Sequence, residues 1–260
     1  MANSLSFNGN NLATYGAYLL KDFVVPSMPT PKLNTSEVVG RHGGYLLNSK
    51  YQIRDISVPM VLKDYADTAA FYTAIDNLNT ILDIQLGQKQ LIFDYNSARY
   101  LLAIASSNFD SKKLSLTAAD AKITFKCVDP FWYSTTETTF PTILTASPQL
   151  LSVTPGGNVD IEPLITITTN ATISMGTEIK IYNITAGRSL TWVTPLNLSA
   201  DDVITIDCTT WLVKYNGLVS MATLDHGSVF PVLVPAVANI IRVTGVPDGL
   251  ISIVYRNRYL

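Results

Sequence analysis

The chain has 260 residues and a mass of 28.4 kDa; 47% of its residues are hydrophobic, 15% are charged, and its formal net charge is −2. A low charged share with ordinary hydrophobicity excludes intrinsic disorder, and the length supports a sizeable core in one large or two small domains. The charge balance gives no reason to expect specific nucleic-acid binding, and apolar runs as short as Ile251–Tyr255 leave no segment to span a bilayer.

The opening residues, Met1-Ala2-Asn3-Ser4-Leu5, carry neither a basic region nor an apolar run, so no Sec export signal is expected. Leu5-Ser6-Phe7-Asn8-Gly9 reads as a strand, and Val39–Gly44 as a glycine-rich turn. Ile56, Val58, Met60 and Leu62 alternate with polar or small residues, the period of a half-buried strand. Pro59 inside that run argues for an edge strand or a bulge. From Asp64 to Leu86 the apolar positions Phe71, Ile75, Leu78 and Leu82 fall on one helical face. Asp64 or Asp67 caps that helix, and Gly87 takes the left-handed position past its end. Leu91–Asn96, Arg99–Ala103 and the alternating Ile123, Phe125 and Cys127 follow as strands.

The composition then shifts. Residues 1–126 carry 12 Lys and Arg against 10 Asp and Glu; residues 127–260 carry 6 against 10. No Lys or Arg occurs between Lys126 and Lys180, and Ser134–Thr139 is rich in hydroxyl residues, which marks a boundary near 133–145. Beyond it Leu164–Thr168, Glu178–Ile184, Val203–Asp207 and Trp211–Tyr215 read as short strands. Asn216-Gly217 predicts a hairpin into Leu218–Leu224, and Pro247-Asp248-Gly249 predicts another between Ile240–Val246 and Leu250–Tyr255. The expected fold class is mainly β. An N-terminal α+β domain, a sheet with one packed helix, spans residues 1–135, and a C-terminal β-sandwich of jelly-roll type spans 136–260.

Candidate chemistry is sparse. Cys127 and Cys208 read as free buried thiols, and with only His42 and His226 there is no zinc ligand set. Asp225, His226 and Ser228 lie close in sequence, but a triad is assembled by a fold, and a polar turn is the simpler reading. Gly40-Arg41-His42-Gly43-Gly44 lacks the spacing of a phosphate loop and reads as a flexible turn. The sequons at Asn34, Asn170, Asn183 and Asn197 read as chance in a Thr-rich chain. Trp132, Trp192 and Trp211 serve core packing, a protein interface or sugar stacking. No catalytic residue, cofactor site or metal site is expected.

The order of these features resembles the distal tail protein (Dit) family of phages with long, non-contractile tails. The resemblance rests on Leu5–Gly9, the Val39–Gly44 turn, the Arg-containing Tyr51–Val58, the single helix, Leu91–Asn96, Arg99–Ala103 and above all Cys127-Val128-Asp129-Pro130-Phe131-Trp132-Tyr133. The ending, Asn239–Gly245 through Ile253–Leu260, looks like the last hairpin of the galectin-like sandwich that family carries. The resemblance implies a structural component of the phage tail tip, made in the host cytoplasm and built into the virion. It implies a homo-hexameric ring of N-terminal domains around a channel for DNA passage, with the C-terminal domains projecting outward. The implied partners are the tail tube protein, the tail-associated (Tal) protein and receptor-binding proteins, with no enzymatic role. The Asn-Pro-Arg-Phe and Trp-Gly-x-Glu runs of galectins are absent, so a galectin-type sugar site is not expected. A carbohydrate-binding β-sandwich is the alternative function.

Overall fold

The structure is a computed structural model in which residues 4–20, 23, 25–37, 39, 40, 42–106 and 110–260 are described. The chain divides into two compact units, Met1–Thr135 with Leu260, and Thr136–Tyr259.

The first unit contains β1 (Leu5–Phe7), β2 (Asn10–Asn11), β3 (Ala17–Leu19), β4 (Pro31–Glu37), β5 (Gly44–Tyr51), β6 (Arg54–Leu62), α1 (Thr68–Ile81), β7 (Lys89–Phe93), β8 (Arg99–Ala105), β9 (Asp110–Lys113), β10 (Ala119–Cys127) and β11 (Trp132–Ser134). Its main sheet runs β2-β1-β7-β8-β10-β6-β3, with β9 on β10 and β11 on β8, all antiparallel. The expected alternation is met: Ile56, Val58, Met60 and Leu62 are buried on one face of β6, opposite the equally buried Ile123, Phe125 and Cys127 of β10. Each such aliphatic side chain contributes about 1.5–3 kcal/mol by leaving water. Strand β6 is not an edge strand, since β3 lies outside it, but Pro59 stands where that pairing ends. The pairing with β3 covers only Met60–Leu62, and the Pro59 carbonyl accepts from Leu20 N (3.2 Å) just beyond it. Carbonyl and nitrogen of one strand residue face the same flank, so the missing N–H falls where the ladder stops.

The helix is shorter than the periodicity predicts. Asp67 caps it, its carboxylate accepting from Ala70 N at 2.7 Å. Phe71, Ala74, Leu78 and Ile81 form the buried face, and Ile75 is only half-buried. The chain leaves the helix at Leu82 because Asp83 turns extended (ψ 124) and caps a separate 3-10 turn, Ile84–Leu86. Gly87 closes that turn rather than the helix. The apolar spacing continues through Leu82, so the sequence does not show this break.

Strands β4 and β5 stand apart from the main sheet as a two-stranded ribbon. The Val39–Gly44 turn joins them, with Val38 and Arg41 outside the described residues.

The second unit contains β12 (Thr138–Leu144), β13 (Gln149–Val153), β14 (Leu164–Thr169), β15 (Glu178–Asn183), β16 (Arg188–Val193), β17 (Val203–Asp207), β18 (Leu212–Tyr215), β19 (Leu218–Val219), β20 (Asn239–Thr244), β21 (Gly249–Tyr255) and β22 (Arg258–Tyr259). One sheet runs β12-β21-β14-β17-β18-β19 and the other β13-β20-β15-β16, giving the expected antiparallel sandwich. Its single core takes alternate residues from both: Ile165, Ile167, Ile204, Ile206, Ile251 and Ile253 from the first, and Leu151, Val153, Ile179, Ile181, Leu190, Trp192, Ile241 and Val243 from the second.

Asn216-Gly217 forms the expected tight turn, with φ 46 and 82 at its two central residues, but the returning strand is only β19. The second expected hairpin is corrected. Strand β20 pairs with β13 and β15, and β21 with β12 and β14, so Gly245–Asp248 carries the chain from one sheet to the other. Val246 is buried in the crossing, and a Cβ on Gly245 (φ 86) would lie 2.1 Å from the Glu178 carbonyl. A Pro-Asp-Gly turn reports a reversal of direction; it does not report whether the flanking strands pair or face each other across a core.

Candidate assembly surface

The ribbon is the most exposed element of the first unit. Every residue of β4 and β5 except Asn34 is exposed, among them Leu33 (60%), Leu46 (60%) and Leu47 (67%). Leu47 is the extra residue of a bulge, since Asn34 pairs with Asn48 while Thr35 pairs with Leu46. An isolated two-stranded hairpin is marginally stable in water, and apolar groups spread along it favour a covering partner. Its root is fixed: Gln52 N donates to Thr30 O (2.9 Å), and Tyr51 packs edge-on against Phe131 at 5.8 Å. Beside that root a concavity is lined by Lys32, Lys50, Lys126, Tyr51, Ile53 and Asp55. Lys32 and Lys50 are direct cross-strand partners, a like-charge pair that an acidic counterpart would relieve.

The three tryptophans take different roles. Trp132 is buried, 6.1 Å from Phe93 and 5.8 Å from the Arg54 guanidinium. Trp192 is fully buried and donates from Nε1 to Ser220 O at 2.9 Å. Trp211 is 65% exposed.

Asp225, His226 and Ser228 form a turn, as the simpler reading expects. Ser228 N donates to Asp225 O (2.9 Å), and the Ser228 hydroxyl accepts from Thr191 N (2.9 Å) and donates to Thr191 O (3.1 Å). That hydroxyl splices the turn to β16, and His226 is exposed. His42 is exposed in the ribbon turn. The sequon asparagines are structural: Asn34 bonds Asn48, Asn170 bonds Asp248, Asn197 accepts from Met175 N, and Asn183 is buried in a network with Asn239. Among the described residues no group of three His, Cys, Asp or Glu side chains is placed to hold a metal ion, and no helix is long and apolar enough to cross a membrane.

Both cysteines are free and buried, as expected. Burial pushes the Cys127 thiol up to about 12, against a partial opposing pull from Arg54, and burial raises Cys208 as well. Neither thiol is therefore expected to react with a disulfide reagent at pH 8 until the protein unfolds, when both react; thiol titration with and without denaturant checks this. The sign for stability follows. An unfolded thiol ionises near 9.0 and the folded Cys127 near 12, so its contribution is complete below pH 9 and is lost as the pH rises towards 12.

Sequence reasoning missed the ribbon. Leu33 is a lone apolar residue between Lys32 and Asn34, and in Tyr45-Leu46-Leu47 the bulge at Leu47 breaks the two-residue period.

Two family models match the chain. One, described as a phage tail protein RIFT-related domain, covers residues 10–127; the other, a siphovirus-type tail component C-terminal domain, covers residues 156–259. Among solved structures, the chain is similar to the crystal structure of the Dit (gp 19.1) protein of phage SPP1, a hub of the adsorption apparatus in phages infecting Gram-positive bacteria. The TM-score is 0.80 at 17% identity, over 100% of both chains. It is also similar to chains of the phage p2 baseplate in its activated conformation with Sr and with Ca, at TM-scores of 0.51 and 0.50, 9% identity and 98% of each chain. No curated protein matches it.

Proposed function

We propose that this chain, which belongs to the distal tail (Dit) family of siphophage tail proteins, is the ring-forming hub of a tail tip. The observation that carries the reading is the β4–β5 ribbon: a long exposed hairpin that displays Leu33, Leu46 and Leu47, with a fixed root and no place in the main sheet. Head-to-tail contacts close into a ring when each subunit offers two different patches, and the ribbon with its basic root supplies one of them. Residues 1–135 form a homo-hexameric ring around a channel. The ring joins the tail tube to the tail-associated protein and anchors receptor-binding proteins at its rim. A subunit with a net charge of −2 supplies little of the Lys and Arg attraction that would retain DNA in passage. The role is non-enzymatic, and the pinned Ser228 hydroxyl and the protonated thiols support that reading.

Immunogold labelling of intact virions with antibodies to this protein tests the assignment. Label confined to the distal end of the tail is the expected result; label distributed along the tube overturns it.

A further inference from the structure

Among the described residues six non-glycine residues have positive φ, four of them Asn or Asp, which tolerate that region; Trp211 (φ 57) is by far the bulkiest of the six. The strain is imposed by the loop before it. The Asp207 carboxylate accepts from Thr209 N (3.0 Å) and Thr210 N (3.1 Å), Cys208 N donates to Pro163 O (3.2 Å), and the Thr209 hydroxyl donates to Glu162 O (3.4 Å). The result holds a large indole in solvent rather than in the core, although the core is the commoner place for tryptophan. Strain retained at an exposed aromatic points to use, because folding alone would favour glycine or asparagine there.

The indole borders a concavity of about 190 Å³ within the sandwich unit, lined also by Glu162, Arg188, Ser228 and Phe230, with Cys208 beneath. Its lining combines the apolar rings of Trp211 and Phe230 with the charged residues Arg188 and Glu162; the Glu162 carboxylate also pairs through Oε2 with the Arg258 guanidinium at 3.5 Å. The groups that could do covalent chemistry are silenced: the Ser228 hydroxyl is bonded to Thr191, and burial keeps the Cys208 thiol protonated. An aromatic platform beside one guanidinium and one carboxylate suits a ring that is apolar on its faces and hydroxylated at its rim.

We infer that Trp211, Arg188 and Glu162 form a binding site for a pyranose unit of a surface saccharide, with the sugar ring stacked on the indole and its hydroxyls bonded by the two charged side chains. The site lies at the loop between β17 and β18 and uses no galectin-type sugar motif. It goes beyond the hub reading and does not depend on it.

The test applies the full-length protein to an array of glucose-, galactose-, rhamnose- and N-acetylglucosamine-based oligosaccharides, followed by titration with each sugar retained. Retention of at least one class, weakened at least about tenfold by Trp211→Ala and weakened by Arg188→Ala, is expected. Trp211→Gly separates the site from the fold: it should abolish retention while leaving the melting temperature equal to or above that of the wild type, because glycine relaxes at φ 57. No retention by the wild type overturns the inference, as does retention unchanged in Trp211→Ala. If Trp211→Ala instead lowers the mass of the assembly without affecting sugar retention, this face is a protein contact and the inference also fails.

Discussion

Full-length protein carrying Leu33→Ser, Leu46→Ser and Leu47→Ser together is expected to run as a folded 28.4 kDa monomer under conditions in which the wild type is expected to run as the proposed ring. The three leucines are 60–67% exposed in the isolated subunit, so their replacement leaves the first unit's core, built on β6, β10 and β7, untouched. Covered by a neighbour, three leucines contribute roughly 5 kcal/mol per interface. Losing that weakens each contact by roughly three to four powers of ten. A closed ring multiplies the loss, because every subunit is held by two such contacts. Light scattering reads the mass, and circular dichroism shows that the fold survives. An assembly that persists in the triple variant places the contact elsewhere.

The second large effect lies in the sandwich and acts on stability. Asn239 is fully buried, and its side chain accepts from Val234 N (2.8 Å) and Asn183 Nδ2 (2.9 Å) while donating to Val234 O (2.8 Å), Val237 O (3.1 Å) and Val153 O (3.3 Å). Asn183, also fully buried, donates in turn to Val232 O at 2.6 Å. The two amides thus satisfy the backbone of residues 232–237, which lie outside the two sheets, and tie it to β13 and β15. Asn239→Ala leaves several of these buried groups unsatisfied. The expected cost is about 3 kcal/mol, or about 10 °C in the melting temperature of that unit. Calorimetry checks it. A shift of only 1–2 °C would show that water replaces the amide, and that the strap is not held by this pair.

What could be read from the chain follows from what each residue type can report locally. Ile56, Val58, Met60 and Leu62 disclosed β6 because one face of that strand is buried along its whole length. Asn216-Gly217 disclosed its turn because both residues adopt positive φ. The helix end was hidden: Leu82 keeps the apolar period, and the stop comes from Asp83 opening a new turn. The Pro247-Asp248-Gly249 corner was misread because strand partners are chosen across the fold; β13 and β12 take the edges that a hairpin would need. The family resemblance, which rested above all on Cys127–Tyr133, is borne out by the two family models, whose matches cover residues 10–127 and 156–259. The candidate surfaces were the least legible part. Nothing in the local sequence separates the exposed Trp211 from the buried Trp192, since the difference arises from the Asp207-capped loop. The ribbon's leucines gave no strand signal, because Leu33 stands alone between Lys32 and Asn34 and the adjacent Leu46 and Leu47 break the two-residue period.

The proposed hub role requires self-assembly through the first unit. The most direct measurement is the mass of the purified full-length protein by native mass spectrometry, with negative-stain images of the same sample. A species of six 28.4 kDa chains, imaged as a ring with a central hole, is the predicted result. A strict monomer across the accessible concentration range, with the apolar ribbon left bare, would contradict it.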